Sequence, residues 1–161
     1  MEQTSVVSAA LIDTCVVLNA MGARGPRRQA PAMAALKQAL RHTQPVMSIS
    51  TRHELVYWGL HADIAPRIAF PAAVFIGNLC LQHKLVRPTT CFALCSNARD
   101  NRAIDAAVAG QARWLITESA SLLRLKQVEQ TRILTPQDFL QAQLESPRPV
   151  APIRAGISAT Y

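Results

Sequence analysis

The apolar positions change period repeatedly along the chain. Val6 to Ile12 is a largely apolar run that stops on the polar pair Asp13-Thr14, which predicts a buried strand. Val16 to Met21 predicts a short helix. Gly22 to Pro31 contains Gly22, Gly25, Pro26, Arg27 and Arg28 and reads as a loop with a basic tip. Met33, Leu36 and Leu40 then recur at helical spacing. Pro45 punctuates, Val46 to Ile49 is a second short strand, and Ser50 or Thr51 starts a helix through Leu60. Pro66 opens a helical stretch to Leu81, with a break or kink expected at Pro71. Leu85 to Arg87 follows as a strand and Thr89 to Arg99 as a connecting loop. A helix from Asp100 to Ala112 sets Ile104, Ala107 and Val108 on one face. Trp114 to Thr117 is a strand, Ser119 to Lys126 a short helix, and Arg132 to Leu134 a strand. Thr135-Pro136 begins the last helix, because proline favours the first helical position.

Strands alternating with helices predict an α/β fold. The expected form has three layers, α/β/α, around a mainly parallel sheet of four or five strands with the first strand central. Residues 1–145 make one domain, and 161 residues are enough for a real core. Residues 146–161 carry Pro147, Pro149 and Pro152, two arginines and no apolar period, which predicts a flexible basic tail.

Charge narrows the class of partner. Ten acidic residues face seventeen lysines and arginines, giving a net charge of +7 and a pI near 9.9. Nucleic acid leads among anionic partners, ahead of an acidic protein segment or an anionic membrane surface, although solubility alone also accounts for the charge. Aromatics are only 5% of the chain, which argues against base stacking as the main binding mode. Trp58 and Trp114 read as core residues, and His53 and His61 as helix-surface residues. The apolar start is interrupted by Asp13 and Asn19, and no run reaches the roughly 18 apolar residues of a spanning helix. A cytoplasmic protein without a membrane partner is therefore expected, with Cys15, Cys80, Cys91 and Cys95 as reduced thiols. Cys91, Cys95 and His83 match no strong zinc spacing and lack a fourth ligand.

The scarce acids fall near strand ends. Asp13 ends the first strand, Glu54 enters a helix, and Asp100, Asp105 and Glu118 bracket the next helix and strand. In open α/β sheets, ligands bind outside the carboxyl ends of strands where strand order reverses. Grouped carboxylates in a basic chain point to a hard divalent cation.

Four segments carry a resemblance to a known family: Leu11-Ile12-Asp13-Thr14-Cys15-Val16-Val17-Leu18, Ser50 to Val56, Asp100 to Ala107, and Trp114 to Leu123 with Ile133 to Leu140 behind it. In order and spacing they resemble the PIN-domain ribonucleases, especially the toxin components of bacterial toxin–antitoxin pairs. The resemblance implies a metal-dependent endoribonuclease. Asp13, Glu54 and Asp100 would be its catalytic and metal-binding acids, Asp105 and Glu118 would assist, and Mg²⁺ or Mn²⁺ would be the cofactor. It also implies an RNA substrate and an antitoxin partner. Substrate contacts are expected at Thr14 and Ser119, and at Arg24, Arg27 and Arg28 in the loop after the first motif, which also read as a solvated loop. Three positions depart from the pattern. Cys15 stands where the family has Asn, Asn97 where an extra Asp is often found, and Ser119 where the fourth acid is expected. A homodimer is expected through the apolar helix between Pro66 and Leu81, on Ile68, Phe70, Val74, Phe75 and Leu79.

Each acid also has a purely structural explanation. Thr51-x-x-Glu54 matches a capping box, Asn97-x-x-Asp100 matches another, Asp13 can cap the helix that follows it, and Ser119 is a good N-cap. Two functional classes stand side by side: an active endoribonuclease toxin, and a catalytically silent module that binds RNA or a partner protein.

Overall fold

A computed structural model describes residues 7–61 and 69–145. The elements in chain order are β1 (Ala9–Ile12), α1 (Thr14–Ala20), α2 (Pro26–His42), β2 (Gln44–Ser48), α3 (Ile49–His61), α4 (Ala69–Gln82) and β3 (Lys84–Val86). They continue with α5 (Ala98–Ala109), β4 (Ala112–Ile116), α6 (Ala120–Leu125), β5 (Gln127–Val128), β6 (Thr131–Leu134) and α7 (Pro136–Glu145). The sheet order is β3-β2-β1-β4-β6-β5, so β1 is central. Every neighbouring pair is parallel except β5 with β6.

Side-chain alternation along the strands divides the core into two layers. Ala10, Ile12, Trp114 and Ile116 point to one face, where they meet Val16, Val17 and Leu36 of α1 and α2 and Phe139 of α7. Leu11, Val46, Leu115 and Ile133 point to the other, against Ile104 and Ala107 of α5 and Leu122 of α6. This is the expected three-layer α/β/α arrangement.

Several boundaries differ from the sequence reading. The sheet has six strands, the additional one being two-residue β5, which folds back on β6 after Lys126 at φ 60°. Two residues are too few to show a period. Helix α2 begins at Pro26 and runs through Pro31, so Arg27 and Arg28 lie in its first turn rather than at a loop tip. Gly25 at φ 82° followed by proline at the first helical position is the local cause. Pro71 leaves α4 uninterrupted because it falls in the first turn, where its missing N–H has no intrahelical acceptor. Trp58 is not a core residue: it is 37% exposed, whereas Trp114 is buried and packs edge-on against Phe139. Pro66, Ile68 and the tail at 146–161 lie outside the described residues, as does the side chain of Phe70.

Candidate functional site

The chain order sends β2 and β3 to one side of β1 and β4, β6 and β5 to the other. The carboxyl ends of β1 and β4 therefore form the switch point where a ligand is expected. Ile12 pairs with Ile116, so the two strands end level. The next residues, Asp13 and Thr117, share the rim, and Asp13 N–H donates to the Ile116 carbonyl at 3.0 Å. Thr117 Oγ1 donates to Asp13 Oδ2 at 2.6 Å, and the Cys15 thiol donates to the same oxygen at 3.2 Å. Asp13 occupies the N-cap position of α1, yet its side chain caps nothing. The carboxylate is turned to the rim instead.

Asp100 reaches the rim from the first turn of α5. Asn97 is the N-cap there and accepts from the Arg99 N–H at 3.0 Å, so the helix start does not need Asp100. Ser119 Oγ donates to Asp100 Oδ2 at 3.0 Å, and Ser121 Oγ donates to the same oxygen. Ser119 is the N-cap of α6 without a side-chain cap bond, its hydroxyl being committed to Asp100.

Glu54 is also released from capping. The capping box lies one turn earlier: Thr51 N–H donates to Ser48 Oγ at 3.1 Å, and Ser48 N–H donates to Thr51 Oγ1 at 2.8 Å. Glu54 pairs with Arg99 of α5 at 3.5 Å. Glu118 accepts from Asn19 Nδ2 and stands 3.8 Å from the Arg28 guanidinium.

One cleft of about 460 Å³ collects these groups. Asp13, Glu54, Asp100 and Glu118 line it with Thr14, Ser119, Arg24 and Arg99. Arg28 touches it through Glu118, while Arg27 does not line it. The structure does not bring Asp105 to the cleft. Its carboxylate accepts from the Phe92 N–H at 2.7 Å and, with Asn101 bound to Leu94 and Cys95, ties the preceding loop to α5. That follows from the helix geometry, since five residues turn a side chain to another face.

A family model for the PIN domain matches residues 9–120, from β1 to the start of α6. The chain belongs to the PIN-domain family. No curated protein and no solved structure matches the chain. PIN domains have nuclease-type function in general, and the family generally depends on divalent metal.

The electrostatics of this PIN domain bear on a metal. Burial raises the Asp13 carboxyl above its ordinary value, and the Asp100 charge adds to the rise against the bonds from Thr117 and Cys15. Burial raises Glu54 too, followed by Asp13, with Arg99 and Arg102 opposing. Burial and the Asp13 charge push the Cys15 thiol far up, so it remains a protonated donor. Neither Asp13 nor Asp100 has an ion pair among the described residues. Two carboxylates without a basic partner, facing one cleft, are the kind of oxygen donors a hard cation takes. The same residues do not form a ready cage: among the described residues no three His, Cys, Asp or Glu side chains are gathered closely enough to hold an ion. A divalent cation there would take oxygen donors from Asp13 and Asp100 and the rest of its shell from water.

Sequence reasoning missed Thr117, Arg99 and Trp58. Thr117 is the last residue of the strand predicted from Trp114 to Thr117, so its place beside Asp13 was open to inference. Arg99 and Trp58 are joined by a tertiary contact between α3 and α5 that no local pattern encodes.

Proposed function

We propose that this PIN domain is a metal-dependent endoribonuclease that hydrolyses RNA phosphodiesters, as the toxin of a toxin–antitoxin pair. The observation that carries the reading is the pair Asp13 and Asp100, two carboxylates without a basic partner among the described residues, at a switch-point cleft bordered by arginines. Asp13 and Asp100 would hold Mg²⁺ or Mn²⁺. When bound, the cation supplies Lewis acidity toward the phosphoryl oxygens and makes an attacking water more acidic. Glu54, raised by burial, suits acceptance of that water's proton. Thr117 and Cys15 hold Asp13 on one oxygen. Ser119 and Ser121 do the same for Asp100. Arg24 and Arg99 line the cleft where the phosphate backbone would enter.

The test is cleavage of a mixed RNA pool by purified protein with Mg²⁺, Mn²⁺ or EDTA. Cleavage that needs metal and disappears in Asp13→Asn is expected, and metal-independent cleavage would sink the reading. The second reading, a silent module that binds RNA or a partner, is favoured by Ser119, which fills the expected fourth acid position with a hydroxyl. It predicts RNA binding without cleavage under any metal. Association through α4, with a second copy or an antitoxin, belongs to the proposal because Val74 and Leu81 are exposed there, whereas Leu79 is core. A monomer by light scattering at high micromolar concentration would remove the homodimer.

A further inference from the structure

Trp58 of α3 lines the cleft, and Tyr57 beside it is exposed. A chain with so few aromatics spends two of them there, where they add little to the core. Trp58 belongs to neither core layer, and its ring is held from two sides. Tyr57 meets it edge-on at 5.2 Å and is itself stacked on His61 at 4.6 Å. The Arg99 guanidinium lies 5.1 Å from the Trp58 ring centre and 3.5 Å from the Glu54 carboxylate. One cation thus joins an aromatic plate to the acidic site. Trp58 follows Glu54 by one helical turn on the same face, on the order of 6 Å between Cβ atoms. A braced, half-exposed indole beside a guanidinium has the chemistry of a platform for an unpaired nucleobase, the arginine meeting the adjoining phosphate.

We infer that Trp58, braced by Tyr57 and with Arg99 over its ring, is a base-stacking subsite that seats a nucleobase next to the phosphodiester at the acids. The inference rests on the reading of the cleft as an RNA-cleaving site. A duplex keeps its bases stacked inside and offers no free face to the indole, so it is excluded.

The experiment measures binding apart from cleavage. A short single-stranded RNA, and the same sequence as a duplex, are titrated into Asp13→Asn protein with Mg²⁺ while tryptophan emission is followed. Trp114 is buried, so Trp58 is the responsive reporter. Single strands are expected to quench the emission and duplex to leave it unchanged. In the same background Trp58→Ala should weaken single-strand binding about 5- to 150-fold, and Trp58→Phe should retain most of the affinity. Equal affinity for both strand forms overturns the inference. So does an unchanged affinity in Trp58→Ala, or no RNA binding at all. A Trp58→Ala protein that loses a dimer by light scattering but keeps its RNA affinity also overturns it, by giving the face to self-association. Wild-type cleavage is scored separately: quenching without cleavage retains the subsite and refutes the nuclease, and cleavage with Trp58-independent binding does the reverse.

Discussion

Ser119 solves a charge problem at the scale of one residue. Its hydroxyl donates to Asp100 at 3.0 Å, where a second carboxylate would repel. In chelator, Ser119→Asp should therefore lose the hydrogen bond to a charged group and destabilise the protein by about 1.5–3 kcal/mol. With Mn²⁺ present the added ligand should tighten metal binding about tenfold and raise any RNA cleavage. Thermal melts and calorimetric titration of the wild type and the variant check both halves. A Ser119→Asp protein as stable as the wild type in EDTA, or one whose metal affinity is unchanged, would separate this position from the metal site. The convergence of Asp13, Glu54 and Asp100 on one cleft was readable from sequence, because β1 and β4 could be placed from their apolar runs. What each carboxylate would do was not readable. Helix geometry turns Asp105 to a different face from Asp100, but its partner, the Phe92 amide, comes from the packing of the loop on α5.

Among the elements, α3 has the most attached to it, since it presents Glu54 and Trp58 to the same cleft. Its start is set by the reciprocal bonds of Ser48 and Thr51, one turn before the box suggested by Thr51 and Glu54. Ser48→Ala should cost about 0.5–2 kcal/mol, the usual loss of an N-cap. Glu54→Gln should stay within about 0.5 kcal/mol of wild type, because the helix start does not use it. Urea denaturation of the two variants in chelator decides, and a larger loss from Glu54→Gln would return Glu54 to a capping role. The strands and the later helices were legible because a parallel sheet buried on both faces writes itself as short apolar runs between helical periods. The start of α2 was not, because Gly25, Pro26 and two arginines read equally as loop and as helix start. Trp58 was assigned to the core for a related reason: burial of a single large apolar residue depends on which helix packs against it.

For the whole molecule, an acidic cleft is set in a chain of net charge +7, and burial opposes the charge of two of its acids, Asp13 and Glu54. Burial raises Asp13 above its ordinary 3.8 and Glu54 above 4.5. Between those values and the raised folded ones, the folded protein binds more protons than the unfolded chain. Stability from these two groups therefore falls as pH rises through that window, opposite to the behaviour of an ion-paired carboxylate. Asp13→Asn removes a buried charge while leaving an oxygen to accept from Thr117 and Cys15. In EDTA at neutral pH the variant should be more stable than wild type by about 0.5–2 kcal/mol, the common exchange of function for stability. The advantage should shrink toward zero as pH falls below the window, where the wild-type carboxyl is neutral in both states. Saturating Mn²⁺ should reverse the order, since a cation at a hundred times its Kd adds about 2.7 kcal/mol to a protein that binds it only when folded. Thermal melts of both proteins across pH, with chelator and with Mn²⁺, measure all three limbs. If Asp13→Asn is never the more stable protein in chelator, burial is not straining the Asp13 charge, and the argument that the cleft is built for a cation loses its physical basis.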